Sequence, residues 1–352
     1  TRCLGVGVIR HDKRAPRGPP MEILPVYFDD FVTTLPSMEG KTVAVTGSTS
    51  GTGLIFAQTC AKLGAKVILL NRTSPRAQAA FDAVKAVAPD GKLMSIPCDL
   101  QSFKSVRSAA AVMIASCPEG LDVLCNNAGI ASTPNLETED GFNSEIQANH
   151  LSHFLLTAEV WPLLEKAADA RGDARVVNHS SLVRNMAFML SGGFSAKYVQ
   201  PGISRLGGND TFGRMRRYTQ SKLANTLFTH ALATKQSKVK AIAAHPGVAK
   251  TAIMDNTIKA SGSTMDSAWL LNKAFTKFEF QSQEDGTLGI LSAACLPNVD
   301  PDTLWGPAKS APMGPAVAEP IPGDYWFQSR LAGQTETLWA ESLKATGAKF
   351  PF

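Results

Sequence analysis

The stretch KTVAVTGSTSGTGLIFAQTCAKLGAKVILLNRT, Lys41 to Thr73, holds the reading that decides the fold. KTVAVT is a short apolar run without polar alternation, the pattern of a strand buried on both faces. It breaks at TGSTSGTG, Thr46 to Gly53, and LIFAQTCAKLG then takes helical spacing before KVILL begins a second apolar run. Glycines in such a turn let the backbone bend tightly, so that main-chain N–H groups and the following helix N-terminus can approach a pyrophosphate. A glycine-rich turn alone is a weak signal. Placed between a buried strand and a helix, with a second strand after it, it predicts a dinucleotide cradle made by Gly47, Ser48, Thr49, Ser50, Gly51, Thr52 and Gly53.

The same rhythm continues outward. KVILL precedes RAQAAFDAVKAVAPDG, KLMSIPC precedes SFKSVRSAAAVMIASC, and LDVLC, ARVVNHS and KVKAIAAH follow as further apolar runs. Buried strands with helices between them predict an α/β fold: a doubly wound parallel sheet, the Rossmann fold, with helices on both faces. The handedness of crossovers leaves little topological freedom. Residues 1–38, with Pro16, Pro19, Pro20, Pro25 and Pro36, read as an extended, basic leader, and 39–352 as one domain. Two segments of that domain fall outside the rhythm, an insertion at 184–217 and a Pro/Ala-rich one at 297–322. Each suits a lid, a binding loop, a partner contact or a plain surface insertion.

Composition excludes several classes. With 44% hydrophobic and 18% charged residues the chain is an ordinary globular protein rather than a disordered one. No apolar run is long enough for a transmembrane helix. The net charge of +5 is modest, and part of it lies in the leader, where Arg2, Arg10, Lys13, Arg14 and Arg17 face only Asp12. That leader reads as a solvated tail, an anion-seeking arm or the remnant of an organelle-targeting peptide. Elsewhere no basic stripe is interleaved with aromatics, so no nucleic-acid partner is expected. The six cysteines form no CxxC pair and no cluster with histidine, which points to a reducing compartment, cytoplasmic or organellar, and to no metal site.

At the end of the second strand, VILLNRT puts Asn71 where an NAD-selective site usually carries an acid for the ribose hydroxyls, and Arg72 follows. An arginine there can grip a 2′-phosphate, and the missing carboxylate removes repulsion, so NADP(H) is favoured over NAD(H). Farther on, YTQSKLAN places Tyr218 and Lys222 at i and i+4, on one face of a helix. A cation beside a phenol favours the phenolate.

Together these features resemble the short-chain dehydrogenase/reductase family over about Glu39 to Ser329. Its motifs stand in order: TGSTSGTG, CDL at Cys98 to Leu100, NNAG at Asn126 to Gly129, NHLSHFLLT from Asn149, VVNHSS ending at Ser181, YTQSK, and HPGVAKT at His245 to Thr251. RYTQSKLANTLF and HPGVAKT are most similar to the retinol dehydrogenase-like branch. The resemblance implies catalytic roles for Asn149, Ser181, Tyr218 and Lys222. Tyr218 would be general acid or base, its pKa lowered by Lys222 and the cationic nicotinamide. Lys222 would also hold the nicotinamide ribose, Ser181 would polarise the substrate carbonyl, and Asn149 would bind a water relaying protons from Lys222. It further implies cofactor contacts from Asp99 and Leu100 near the adenine, from Asn127, Ala128 and Gly129 along the cofactor, and from Pro246, Gly247 and Thr251 at the carboxamide. Residues 248–282 would be the substrate loop.

Departures accompany the matches. Thr52 stands where the family commonly has an aliphatic residue. The longer 184–217 segment, with Met186, Phe188, Met189, Leu190 and Phe194, suggests an apolar lining for a retinoid, steroid, fatty aldehyde or pigment-like carbonyl or alcohol. The family's helices, here from about Asn143 and from Tyr218, imply a homo-oligomer. A protochlorophyllide reductase is an alternative enzyme, against which Val248 stands where a cysteine is expected. A cofactor-binding subunit of a larger assembly, with little turnover, is the alternative from another class.

Overall fold

The computed structural model describes residues 23–250, 280–321 and 331–352. The apolar runs become strands β1 (Thr42–Thr46), β2 (Lys66–Asn71), β3 (Leu93–Pro97), β4 (Val123–Asn126), β5 (Arg175–His179) and β6 (Lys240–Ala244). All but β3 are buried almost throughout, as strands covered on both faces must be. Two further strands, β7 (Thr303–Pro307) and β8 (Ala316–Pro320), complete a sheet ordered β3-β2-β1-β4-β5-β6-β7-β8. Only the β7–β8 pair is antiparallel.

The helices follow from capping as much as from periodicity. In α1 (Phe28–Thr33) and α2 (Gly51–Lys62) the N-cap side chain makes no capping bond, whereas α3 (Pro75–Val87) starts at Ser74, whose hydroxyl accepts from Ala77 N at 3.2 Å, with proline at its first position. Ser102 caps α4 (Phe103–Ser116) in the same way. One turn, α5 (Ser144–Ile146), runs into a π-helical turn at Gln147–Leu151 and then α6 (Ser152–Glu159), followed by α7 (Trp161–Arg171) and a short α8 (Met186–Ser191). The long α9 (Thr211–Lys235) begins where Asp210 accepts from the N–H groups of Phe212 and Gly213, both at 3.0 Å. Then come α10 (Leu288–Cys295) and α11 (Leu331–Thr346).

Helices lie on both sides of the sheet. One core packs α4, α6, α7 and α9 against one face; the other packs α2 and α10 against the opposite face. From β1 the chain winds outward through β2 and β3, then returns to place β4 on the other side of β1. That reversal opens a crevice at the carboxyl ends of β1 and β4, the place where open α/β sheets bind ligands.

Two expectations need correction. Residues 23–38 do not extend away from the domain: Leu35 and Met38 are buried in its core, and the N–H groups of Val26, Tyr27 and Phe28 donate to the Asp285 carboxylate at 2.8–3.0 Å. The 297–322 segment is not a surface insertion, because it supplies β7 and β8. The helices from about Asn143 and from Tyr218, expected from the resemblance to meet a second copy, carry packing from within the chain. There α11 lays Trp339 on Phe154 of α6, with ring centroids 5.1 Å apart, and near Phe228 of α9, while Phe350 and Phe352 close the aromatic cluster. The leader's first 22 residues and most of the 248–282 loop lie outside the described residues.

Candidate active site

The glycine-rich turn sits at the mouth of the crevice, and its glycines are required by close approach. A Cβ on Gly53 would stand 2.4 Å from both Asn127 Nδ2 and the Gly47 carbonyl, and Gly47 holds a left-handed φ of 68°. Asn127 is the knot of this end. Its Nδ2 donates to the carbonyls of Thr46 at 2.9 Å and Gly47 at 3.2 Å, and its Oδ1 accepts from Thr52 Oγ1 at 3.1 Å and from His179 Nδ1 at 2.8 Å. The unusual Thr52 therefore has a defined partner. Ala128 N donates to Thr46 Oγ1, which also bonds His153 Nε2 at 2.9 Å. The close backbone packing that only glycine permits at Gly47 and Gly53, and the helix that opens from the turn, fit a dinucleotide pyrophosphate.

Asn71 is buried and turned inward. Its Oδ1 accepts from Ser48 N at 2.9 Å and its Nδ2 donates to Ser48 Oγ at 2.8 Å, so it braces the turn. No carboxylate ends β2. Arg72 is exposed beside it, and Arg76, which sequence reasoning passed over, is exposed with its guanidinium 3.3 Å from Ser50 Oγ. Asp99 is partly buried, one carboxylate oxygen accepting from Gln101 N at 2.9 Å; the Leu100 carbonyl accepts from Ser152 Oγ.

At the chemical end, the π-helical turn presents Asn149. Its amide makes three bonds: Oδ1 accepts from Ile130 N at 2.8 Å, and Nδ2 donates to Ile130 O at 2.8 Å and Ser221 Oγ at 2.9 Å. The side chain thus ties the segment after β4 to α9. Lys222 is buried, with Nζ donating to the His179 carbonyl at 2.9 Å, and an atom added at Gly129 would lie 3.2 Å from it. Ser181, partly exposed, hydrogen-bonds Tyr218. Ser180 points elsewhere, donating to the Lys222 carbonyl at 2.8 Å and meeting Thr226 Oγ1 at 2.9 Å, which leaves Ser181 as the hydroxyl beside the phenol.

Electrostatics modify one expectation. Burial pushes the Tyr218 phenol up to about 12, helped by the nearby Glu145 charge and only partly opposed by Ser181. The chain by itself therefore holds Tyr218 protonated, where a lowered pKa was expected from Lys222. Burial draws Lys222 down to about 8, against the Glu145 charge. His179 and His153 are held neutral, at about 3 and about 4, by burial and by the Lys222 charge.

Gly247 turns with φ of 60°, and a Cβ there would collide with the Pro312 carbonyl at 2.5 Å; the Pro246 carbonyl accepts from Gln281 Nε2. Thr251 lies outside the described residues. Of the apolar side chains in the 184–217 segment, Met186 and Met189 are exposed, whereas Phe188 and Phe194 pack against the core. His153, His179, Glu145 and Arg217 were missed as site residues, since what marks them is spatial convergence. Among the described residues no cluster suits a metal ion and no helix is long and apolar enough to cross a membrane. The five described cysteines are buried free thiols.

A dinucleotide cradle at the switch point of a doubly wound sheet, with a serine, tyrosine and lysine gathered at the same carboxyl edge, defines a nicotinamide-dependent oxidoreductase. The chain belongs to the short-chain dehydrogenase/reductase family, in its retinol dehydrogenase-like branch. The family model described as short chain dehydrogenase matches residues 41–197. Human retinol dehydrogenase 13 is 32% identical over 339 residues, covering 93% of this chain and 92% of that protein. Mouse polyprenol dehydrogenase is 30% identical over 326 residues, 89% of this chain and 86% of its own. Among solved structures, an uncharacterised protein from Mycobacterium paratuberculosis superposes with a TM-score of 0.65 at 30% identity, covering 91% of this chain and 98% of that one.

Proposed function

We propose that this protein is an NADP(H)-dependent oxidoreductase acting on the carbonyl or alcohol of a bulky apolar substrate, of the isoprenoid kind named in its relatives retinol dehydrogenase and polyprenol dehydrogenase. The observation that carries it is the meeting of Ser181, Tyr218 and Lys222 beside the cradle, with the phenol held protonated by burial. The bound nicotinamide supplies the hydride in reduction and takes it in oxidation. Ser181 donates a hydrogen bond that polarises the substrate carbonyl. Tyr218 gives its proton to the carbonyl oxygen as that oxygen gains charge, and takes it back in the reverse direction. Lys222 holds positive charge beside the phenol, which limits the cost of the phenolate left behind. Asn149 keeps α9 and the segment after β4 in register, so that these groups stay convergent.

Cofactor choice rests on charge. Asn71 offers no carboxylate to the ribose, and Arg72 and Arg76 stand exposed at the end of β2 and the start of α3. Exposed Met186, Met189 and Phe212, on α8 and the first turn of α9, support an apolar substrate. Fluorescence titration with NADPH and NADH, then a panel of isoprenoid aldehydes and ketones, tests the reading. Tight NADPH preference, with turnover abolished in Tyr218→Phe, is expected. Arg72→Ala should weaken NADPH roughly tenfold, the scale of one charge-assisted hydrogen bond, and spare NADH. Binding without turnover on any substrate would replace the enzyme by a cofactor-holding subunit, and binding of neither nucleotide would end the proposal.

A further inference from the structure

Glu145 has no role in the chemistry above, yet it is wholly buried one turn ahead of Asn149. Its Oε2 accepts from Thr133 N at 2.9 Å and Thr133 Oγ1 at 3.1 Å, while Oε1 is buried without a protein partner. Burying a carboxyl half-satisfied is unfavourable unless a positive charge compensates. From α9 the groups that feel its charge are Arg217, Tyr218 and Lys222.

Arg217 is equally buried. It donates to the carbonyls of Thr133 at 3.1 Å and Gly208 at 2.8 Å and leaves its Nε unpartnered in the interior. Thr133 is therefore a relay between the two, its N–H and hydroxyl given to Glu145 and its carbonyl to Arg217. Behind Arg217 stand Arg214, Asp210 and Tyr198. Around Lys222 the other titratable groups are His153 and His179, both neutral and so without compensating charge. Burial raises the Glu145 carboxyl to about 7, so it is ionised in the range where Lys222, drawn down to about 8, titrates, and it is the carboxyl that acts on this buried ammonium.

We infer that Glu145 is a positioning residue for the Tyr218–Lys222 pair: it is the buried counter-charge of Lys222 and, through Thr133 and Arg217, anchors the turn of α9 that carries Tyr218. This rests on the proposed function for its catalytic meaning, while the charge relation belongs to the chain alone. Glu145→Gln is the fitting variant, because its amide oxygen still accepts from Thr133 and only the charge is lost. Lysine labelled at Cε with carbon-13, with the Lys222 resonance assigned by Lys222→Met, reads the Lys222 titration in the full chain without nucleotide or substrate. The midpoint should fall by roughly one pH unit in Glu145→Gln, the scale of removing one nearby opposite charge. Glu145→Asp, which keeps the charge, should titrate near wild type, and it serves if the glutamine variant folds poorly.

In turnover assays the basic limb of the kcat/KM profile should move the same way. An unchanged Lys222 midpoint in Glu145→Gln would overturn the inference, even if the variant loses activity or stability. A shifted midpoint in a protein that reduces nothing would uphold the charge relation and defeat the proposed function instead.

Discussion

Acidification should unfold this protein through its histidines. His150, His153, His179 and His245 are buried, and burial lowers their imidazoles to about 3, about 4, about 3 and, for His245, well below the ordinary value, with Arg184 and His179 adding to the effect there. Because these pKa values are depressed in the folded chain, the unfolded chain takes up the protons first. Their contribution to stability is complete above about pH 6.5 and is lost as the pH falls below it. At about pH 5 His150, His153 and His179 have each given up roughly 2 kcal/mol, roughly 6 together, and His245 acts in the same direction.

Glu145 works in the opposite sense. Its carboxyl, raised by burial from 4.5 to about 7, holds its proton in the fold while the unfolded chain has released it, so stability from this group grows as the pH falls from about 7 toward 4.5. That offsets roughly 2–3 kcal/mol, leaving a net loss of about 3–4 from these groups, a large fraction of the whole stability of many domains. Urea unfolding followed by tryptophan fluorescence between about pH 7.5 and pH 5 measures this directly. His150→Phe isolates one contributor away from the nucleotide cradle, since His150 lies against the rings of Phe154 and Phe228 and meets Ser342 Oγ at 2.9 Å. It should remove about one proton from the pH slope. Stability that stays level between about pH 6.5 and 5, or a slope untouched by His150→Phe, would refute the reasoning.

Gly53→Ala would press a methyl into Asn127 Nδ2 and the Gly47 carbonyl and disrupt the two bonds that Nδ2 makes; loss of about 3 kcal/mol is expected, read as lowered Tm together with NADPH affinity reduced by roughly a hundredfold. Ser181→Ala should depress kcat by roughly a hundredfold or more with Tm near wild type, whereas Ser180→Ala should mainly lower Tm, because only the latter hydroxyl is built into buried bonds between β5 and α9. With α11 over the faces of α6 and α9, sedimentation should give a monomer of 37.5 kDa, and a dimer formed through those helices would show that α11 leaves them in solution.

Legibility in the sequence divided along physical lines. Strands β1, β2, β4, β5 and β6 were readable because a parallel strand buried on both faces leaves an apolar run, and a helix between two such runs leaves its own period; β3, at the sheet edge and only partly buried, still showed as the run KLMSIPC. Tyr218 and Lys222 were readable because helical spacing is local. Strand β8 and its antiparallel pairing were not: AVAEP is short and proline-bounded, and its partner is found only in three dimensions. The end of the leader escaped for a similar reason. Its proline content predicts extension, but the Asp285 carboxylate that gathers its N–H groups lies more than 250 residues away in the chain.

Thr52 and His179 show what such distance hides. Taken singly, Thr52 is an odd residue in a glycine-rich turn and His179 a polar residue ending an apolar strand. In space both donate to the Oδ1 of Asn127, whose Nδ2 holds the carbonyls at the start of the cradle. Because one oxygen serves both donors, removing either leaves the other bond in place, and removing Asn127 strands both donors in the interior, where an unmet hydrogen bond costs about 1–3 kcal/mol. The two residues therefore act as one feature: they stiffen the cofactor end through the same side chain whose neighbours, by way of the His179 carbonyl, position Lys222 at the chemical end.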